Sequence, residues 1–319
     1  MAGDSMVDMV ALRSQANNGD PRAQTALAYA MLADQEGPRG AAEAVALLNT
    51  AAARGHADAF HLLAALAVMG IGRPRNLNDA YRGVQGAARL GDTSAAAQLA
   101  VLGRDGFDKA PWLKPVHLEQ QADSPRIFIA KDFIPRFACD WLIEIARPQL
   151  KPSVVYDAAS GSWTTHPSRT SETANLRSLE HDLVTHLVSW RIASAVGLPV
   201  LNQEATKVLR YEVGQEYRAH FDFIRPGLEA EAFEGELATR GQRVATVLVY
   251  LNDDYEGGET AFPIIDKRFR GEPGDALIFW NLSETGELER NSLHAGTPVT
   301  AGEKWLLSKW IRQKPLPLF

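Results

Sequence analysis

Tyr211-Glu-Val-Gly-Gln-Glu-Tyr217-Arg-Ala-His220-Phe-Asp222 is answered further along the chain by Ser292-Leu-His294-Ala-Gly296 and then by Lys304. On an extended strand successive side chains alternate faces, so His220 and Asp222 point the same way and can share one ion. Phe221 between them turns to the other face, where an aromatic belongs in a core. His294, from a different strand, completes a face of two imidazoles and one carboxylate. That face leaves roughly three of six coordination positions open, which is the ligand set of a non-haem iron(II) site.

The spacing alone carries little weight, because 8 His and 19 Asp in 319 residues give about 0.5 such pairs by chance. A second pair is present, His56-Ala57-Asp58, in an alanine-rich helical stretch. Residues two apart on a helix do not face each other, so this pair reads as a surface feature.

The text around His220 and Asp222 separates the two cases. Lys207-Val-Leu-Arg-Tyr211-Glu-Val and Gln242-Arg-Val-Ala-Thr246-Val-Leu-Val-Tyr-Leu251 read as strands, as do Gly274-Asp-Ala-Leu-Ile-Phe-Trp280 and the alternating Lys304-Trp-Leu-Leu-Ser-Lys-Trp310-Ile-Arg312. Asn252-Asp-Asp-Tyr-Glu-Gly-Gly-Glu-Thr260 supplies turn residues between them. Short strands at regular spacing predict an antiparallel sandwich or barrel.

Several further motifs stand in order along the same region: Arg169-Thr-Ser171, Leu209-Arg-Tyr211, Gly241-Gln-Arg-Val-Ala-Thr246, Tyr250-Leu-Asn252, Glu256-Gly-Gly-Glu-Thr260, Gly274-Asp-Ala-Leu277 and Gly302-Glu-Lys304-Trp. With the two histidine motifs, the segment from Arg126 to Arg312 resembles the prolyl 4-hydroxylase family of iron(II)- and 2-oxoglutarate-dependent dioxygenases. The resemblance implies a double-stranded β-helix (jelly-roll) with supporting helices. It implies His220, Asp222 and His294 as Fe(II) ligands and Lys304 as the partner of the distal carboxylate of 2-oxoglutarate. Tyr211 and Thr246 match positions that hydrogen-bond that carboxylate, and Tyr217 and Trp310 match aromatic positions near a peptide groove. It also implies O2 as co-substrate, succinate as product and ascorbate as reductant. The physics of Lys304 agrees, because a lysine on a strand of Trp, Leu and Ile is either an exposed edge charge or a buried cation that needs a carboxylate partner.

Between Asp222 and Gly241 lies a long acidic insertion, Phe223-Ile-Arg-Pro-Gly-Leu-Glu-Ala-Glu-Ala-Phe-Glu-Gly-Glu-Leu-Ala-Thr-Arg240. It reads as a lid or as a solvated spacer, and as a lid it would favour basic peptides over acidic ones. Tyr156 to Arg169 reads as a flexible flap in which Arg169 either contacts substrate or anchors the flap. His166, His181, His186, His61 and His117 read as structural or surface residues; His181 and His186 fall on an amphipathic pattern from Leu179 to Val196.

The first hundred residues follow another rule. Gly19, Gly55 and Gly91 recur at identical intervals, each after an Ala- or Asn-containing turn and before an alanine-rich run. Such a period marks a helix-turn-helix solenoid of tetratricopeptide-like length. Its Ala-Ala-x-x-Gly-x-x-x-Ala text and the Gly70-Ile-Gly-x-Pro turn resemble Sel1-like repeats. These repeats either cap the catalytic domain or recruit a protein partner. The expected division is a repeat domain at 1–106, a linker at 107–125 and a dioxygenase domain at 126–319.

A net charge of −6 offers no basic surface for nucleic acid. The single cysteine, Cys139, excludes an intrachain disulfide and falls in a helical pattern from Phe137 to Ala146. The opening residues lack a basic and apolar leader and no run is long enough to span a bilayer, so the expectation is a cytoplasmic protein. The reading is therefore an α-helical solenoid fused to a jelly-roll dioxygenase that hydroxylates a protein or peptide residue, proline first. The alternatives are the same chemistry on a free amino acid or small molecule, and a non-catalytic scaffold that senses 2-oxoglutarate.

Overall fold

The structure, a computed structural model, describes residues 9–33, 37–157, 160–176 and 182–316. These form two compact units: the first runs to Ala110 and takes in 182–190, and the second comprises 111–176 and Arg191–Leu316.

The first unit is built of helices Met9–Asn17, Pro21–Ala33, Gly37–Ala53, Ala57–Met69, Leu77–Arg89 and Thr93–Leu102. The recurring glycines end the first, third and fifth of these with φ of +89°, +80° and +87° at Gly19, Gly55 and Gly91. That left-handed conformation carries a steric penalty for any residue with a Cβ, which is why glycine recurs there. The alanines have a packing reason. Ala44, Ala51, Ala59 and Ala67 are fully buried, and a Cβ on Gly83 would come within 2.8 Å of the Phe60 carbonyl oxygen, so Leu77–Arg89 and Ala57–Met69 approach almost backbone to backbone.

The second unit holds two antiparallel sheets of four or more strands, beside two-stranded pairs at Tyr255–Gly257 with Val299–Gly302 and Val155–Asp157 with Ser162–Thr164. The larger runs in the order Glu119–Asp123, Arg126–Ala130, Ala276–Trp280, Arg243–Tyr250, Lys304–Arg312, Thr206–Tyr211, Glu172–Leu176, Lys151–Pro152. The smaller runs Lys267–Phe269, Thr260–Phe262, His294–Gly296, Tyr217–His220. A core of Ile127, Leu209, Tyr211, Leu248, Tyr250, Phe262, Leu277, Phe279 and Leu306 draws on both sheets, giving the sheet core of a jelly-roll. Residues 119–123, placed in a linker on sequence grounds, instead pair with Arg126–Ala130 as the edge strand.

Register sets the wall of the site. Lys304 lies opposite Tyr211, Leu306 opposite Leu209 and Tyr250, Ser308 opposite Lys207 and Leu248, and Trp310 opposite Thr246. Strand alternation then points these side chains to one face, and nearly all of them line a single cavity.

Two segments are more regular than their sequence reading. The acidic insertion is helical, at Leu228–Ala232 and Glu234–Arg240, because Glu, Ala and Leu favour helix once a terminating Gly241 is available at φ +68°. The flap contains a short hairpin, Val155–Asp157 with Ser162–Thr164. The amphipathic helix is described from Leu183 to Val196; His181 lies outside the described residues. Cys139 sits in Arg136–Ala146, where burial pushes its thiol up to about 12, so it acts as a small apolar residue.

Candidate active site

His220 and His294 are direct cross-strand neighbours on Tyr217–His220 and His294–Gly296, and their ring centres lie 4.3 Å apart. Asp222 stands just past the end of its strand rather than within it, yet its carboxylate is 3.6 Å from His220 Nε2 and 3.5 Å from His294 Nε2. The possible ligand atoms of the three residues fall within 4.8 Å of one another, and among the described residues no other such histidine, cysteine and carboxylate group occurs. Phe221 turns away and stacks on the buried Phe223 at 4.6 Å.

The hydrogen bonds select the form of each side chain that a metal needs. His220 Nδ1 donates to the Arg218 carbonyl at 2.8 Å and His294 Nδ1 to the Ser292 carbonyl at 2.9 Å, which leaves the Nε2 lone pairs facing Asp222. Burial and the neighbouring His220 push His294 down to about 4, so its imidazole is neutral at physiological pH. Burial alone would raise the Asp222 carboxyl, but the histidines and the Thr246 hydroxyl hold it well below the usual carboxylate range. The neutral imidazole of His294, the second imidazole of His220 and an ionised carboxylate are a fit for a divalent iron ion.

Thr246 is in the site, but not in the role the resemblance implied. Its hydroxyl donates to Asp222 Oδ2 at 2.6 Å and accepts from Asn281 Nδ2 at 3.0 Å, so no donor remains for an organic acid. Thr246 therefore orients the Asp222 carboxylate. The Asp222 backbone is also held, because Arg243 Nη1 donates to its carbonyl at 3.1 Å. Asn281 and Arg243 were not singled out from sequence. Strand alternation points to neither, since Arg243 is three residues from Thr246 and so out of phase with it, with a register shift beside it in the pairing.

Lys304 lies further along the cavity and is 2% exposed. Its ammonium donates to the Gly258 carbonyl at 2.6 Å, and no carboxylate of the described residues is within ion-pair distance. Burial pushes it down to about 7. Gly258 has φ +65°, and a Cβ there would crowd the lysine stem at 3.2 Å, so the glycine both frees the carbonyl and makes room. A buried cation with two unused donors fits an acid, since leaving it unpaired costs several kcal/mol. Tyr211, opposite Lys304 and 4% exposed, and Thr260 line the same stretch.

Tyr217 stacks on His220 with ring centres 3.5 Å apart, and the Arg169 guanidinium lies 4.7 Å from the Tyr217 ring centre. Arg169 is 8% exposed. Trp310 carries two cations, Lys207 Nζ at 3.6 Å and the Arg243 guanidinium at 3.5 Å from its ring centre. Arg243 is neutralised by Glu204 at 2.8 Å, which also accepts from Arg312 at 2.6 Å. Arg312 continues to Glu236 of the insertion at 2.6 Å, while Glu229 pairs with Arg225 at 3.0 Å. Two of the insertion's acids are thus spent within the protein, and the cavity wall carries Arg169, Lys207 and Lys304.

The other described histidines are not among the residues lining this cavity. His61 is 3.3 Å from Asp92, His166 bonds Ser168 at 2.8 Å, His186 is buried and His117 is exposed. His56 bonds Thr25 at 3.1 Å.

Residues 206–312 match the family model for the 2OG-Fe(II) oxygenase superfamily. Prolyl 4-hydroxylase 1 of Arabidopsis thaliana is 39% identical over 205 residues, covering 60% of this chain and 70% of that protein. The chain belongs to the prolyl 4-hydroxylase family. A second relative, probable prolyl 4-hydroxylase 10 of the same plant, is 33% identical over 66% of this chain and 75% of its own length. A solved viral collagen prolyl hydroxylase from Paramecium Bursaria Chlorella virus-1 aligns at 27% identity over 58% of this chain and 95% of that one, with a TM-score of 0.46. As a family member the protein is an iron(II)- and 2-oxoglutarate-dependent dioxygenase that uses O2. Iron supplies the oxidising chemistry when bound. This chain offers the Nε2 atoms of His220 and His294 and the Asp222 carboxylate as candidate ligand atoms, the Thr246 hydroxyl that fixes Asp222, and a buried cationic end at Lys304.

Proposed function

We propose that the protein hydroxylates prolyl residues of a protein or peptide, converting 2-oxoglutarate to succinate and CO2, with ascorbate as the external reductant. The observation that carries this reading is the convergence on one cavity of the His220, Asp222, His294 face, the buried Lys304 and the aromatic pair Tyr217 and Trp310. In the proposed assignment His220, Asp222 and His294 hold iron, and Lys304 with Tyr211 holds the distal carboxylate of the acid. Tyr217, Trp310 and Arg169 meet the substrate. The helices of the first unit, read as Sel1-like repeats, recruit the client protein. Their 36-residue recurrence supports this reading, as does the usual binding role of stacked helical pairs. A lone buried thiol fits a reducing compartment such as the cytoplasm.

The test is mass spectrometry of a proline-containing peptide panel and a cell lysate after incubation with Fe(II), ascorbate and 2-oxoglutarate, beside a His220→Ala control. A gain of one oxygen on proline in the wild type alone is the expected result. Succinate release with no modified peptide would replace it with the second reading, a free amino acid as substrate.

A further inference from the structure

The cavity holds more positive charge than iron chemistry needs. Its charged lining residues, the histidines aside, are Arg169, Lys207, Asp222 and Lys304. Iron(II) and a dicarboxylic acid cancel each other, and Asp222 offsets one of the three cations, so a neutral substrate would leave two positive charges in a low-dielectric space. Lys304 is the cation at the acid's end. Lys207 is four residues from Tyr211 on Thr206–Tyr211, about 13 Å along the strand, so it lies at the other end of the same wall.

Neither Lys207 nor Arg169 has an acidic partner among the described residues. Lys207 rests on the Trp310 ring; of the two acids whose charge reaches it, Glu204 is already shared by Arg243 and Arg312, and Asp222 faces His220 and His294. Burial, with Arg243 nearby, pushes its amine down to about 7. Arg169 is more than nine-tenths buried, its Nε has no hydrogen-bond partner, and beyond its place over the Tyr217 ring its guanidinium makes only long hydrogen bonds, to the Val154 carbonyl and Thr173 Oγ1 at 3.5 Å each. A guanidinium in that state retains a fork suited to a carboxylate.

We propose that Lys207 and Arg169 form a carboxylate-recognising subsite for the substrate, so that the residue to be hydroxylated has a carboxylate beside it. Acidic peptides are then the preferred class, opposite to the preference read from the insertion. The carboxylate comes either from an Asp or Glu flanking the proline or from the free α-carboxylate of a terminal proline or free amino acid. The inference rests on the substrate reading above but concerns recognition, not the bond that is oxidised.

The test uses the full chain and five probes: a blocked proline peptide with Glu flanking the proline, its Gln isostere, its Lys-flanked counterpart, the Gln peptide ending in proline with a free carboxylate, and the same with a terminal amide. Binding is read by fluorescence anisotropy and turnover by succinate release, in wild type, Lys207→Gln, Lys207→Glu and Arg169→Gln. The wild type should bind one carboxylate probe at least tenfold tighter than its neutral isostere. Which probe wins identifies the source. In Lys207→Gln that ratio should fall to near one, and Lys207→Glu should invert it toward a Lys-flanked peptide. An unchanged ratio in both Lys207 variants overturns the subsite, as does a wild type that treats acid and isostere alike. A rise in the 2-oxoglutarate requirement with no change in probe ratio would reassign Lys207 to the co-substrate and also overturn it. Hydroxylated proline without carboxylate preference would sink the subsite and leave the proline reading standing. Carboxylate-dependent binding without hydroxyproline would do the reverse.

Discussion

His56 and Asp58 in the first unit have the same spacing as His220 and Asp222 in the second, and only the second pair converges. His56 precedes helix Ala57–Met69 and turns its ring to Thr25, while Asp58 lies in the first helical turn, where a carboxylate favours the helix dipole. His220 ends a strand, and Asp222 beyond it comes back toward the same point, where His294 arrives from the neighbouring strand in direct register. The difference teaches that a two-residue spacing acquires chemistry only where the backbone returns both side chains to one point and a distant segment delivers a third group there.

The strongest way to break the comparison is to remove one carboxylate from each pair. Asp222→Ala should reduce iron retained by the purified protein, measured by metal analysis, to background and abolish succinate formation. Asp58→Ala should leave both within about twofold, as an exposed helix-start change does. Equal effects would mean that the second pair does not hold the metal.

Lys304 sharpens the contrast next, because the helical pair has no counterpart to it. Removing a buried cation from a hydrogen-bonded acid costs about 2–5 kcal/mol, so Lys304→Ala should raise the 2-oxoglutarate requirement on the order of a hundredfold, measured as KM in succinate release. Iron content should be unchanged. An unaltered KM would mean that another group holds the acid.

Much of this was legible in the sequence, and the pattern of what was not is informative. The strands at 206–211, 243–250, 276–280 and 304–312 follow from β-branched and aromatic alternation, and the meeting of His220, Asp222 and His294 was legible from motif order, although Asp222 lies past the end of its strand and not on its period. Thr246 was placed correctly on its strand and given the wrong partner, since a one-dimensional pattern fixes the face of a residue but not which of two acidic groups its hydroxyl meets. Asn281 lies outside the regular strand text and reaches Thr246 only through folding. The insertion was read by composition as an acidic surface, whereas Glu236 is consumed by Arg312 from the last strand, a pairing no local window contains. Lys207 was visible as a cation in phase with Tyr211, yet its lack of an acidic partner is a three-dimensional fact.

Two threonines extend the comparison at smaller scale. Thr246→Val removes the donor to Asp222, and loss of such an outer hydrogen bond should weaken iron affinity about 10–100-fold while the 2-oxoglutarate KM stays within about threefold. Thr25→Val removes the bond to His56 and should cost about 1 kcal/mol of stability in denaturant unfolding, with iron affinity untouched. A Thr246→Val enzyme with normal iron affinity and a raised KM would return that hydroxyl to the acid.

The smallest effect separates the two units by pH. Burial lowers Lys304 and Lys309 from an ordinary 10.5 to about 7, and the first unit has no buried lysine among its described residues. For a lysine lowered in the folded state, the unfolded chain binds more protons between the two values, so stability rises with pH across that window. Below about 7 both states are charged and the burial penalty is felt in full. The metal-free protein without 2-oxoglutarate should therefore gain stability from pH 7 toward 10, and amide exchange should place the gain in strand Lys304–Arg312 and not in the helices. Above about 10 the trend should reverse, because Tyr250, pushed up by burial, stays protonated in the folded state while it ionises in the unfolded chain. Lys304→Met should remove part of the slope. Adding 2-oxoglutarate should flatten it as well, because a bound carboxylate restores the ammonium. A flat profile in the ligand-free protein would mean that water or a reoriented carboxylate already satisfies Lys304, and the argument that its unused donors await an acid would fall.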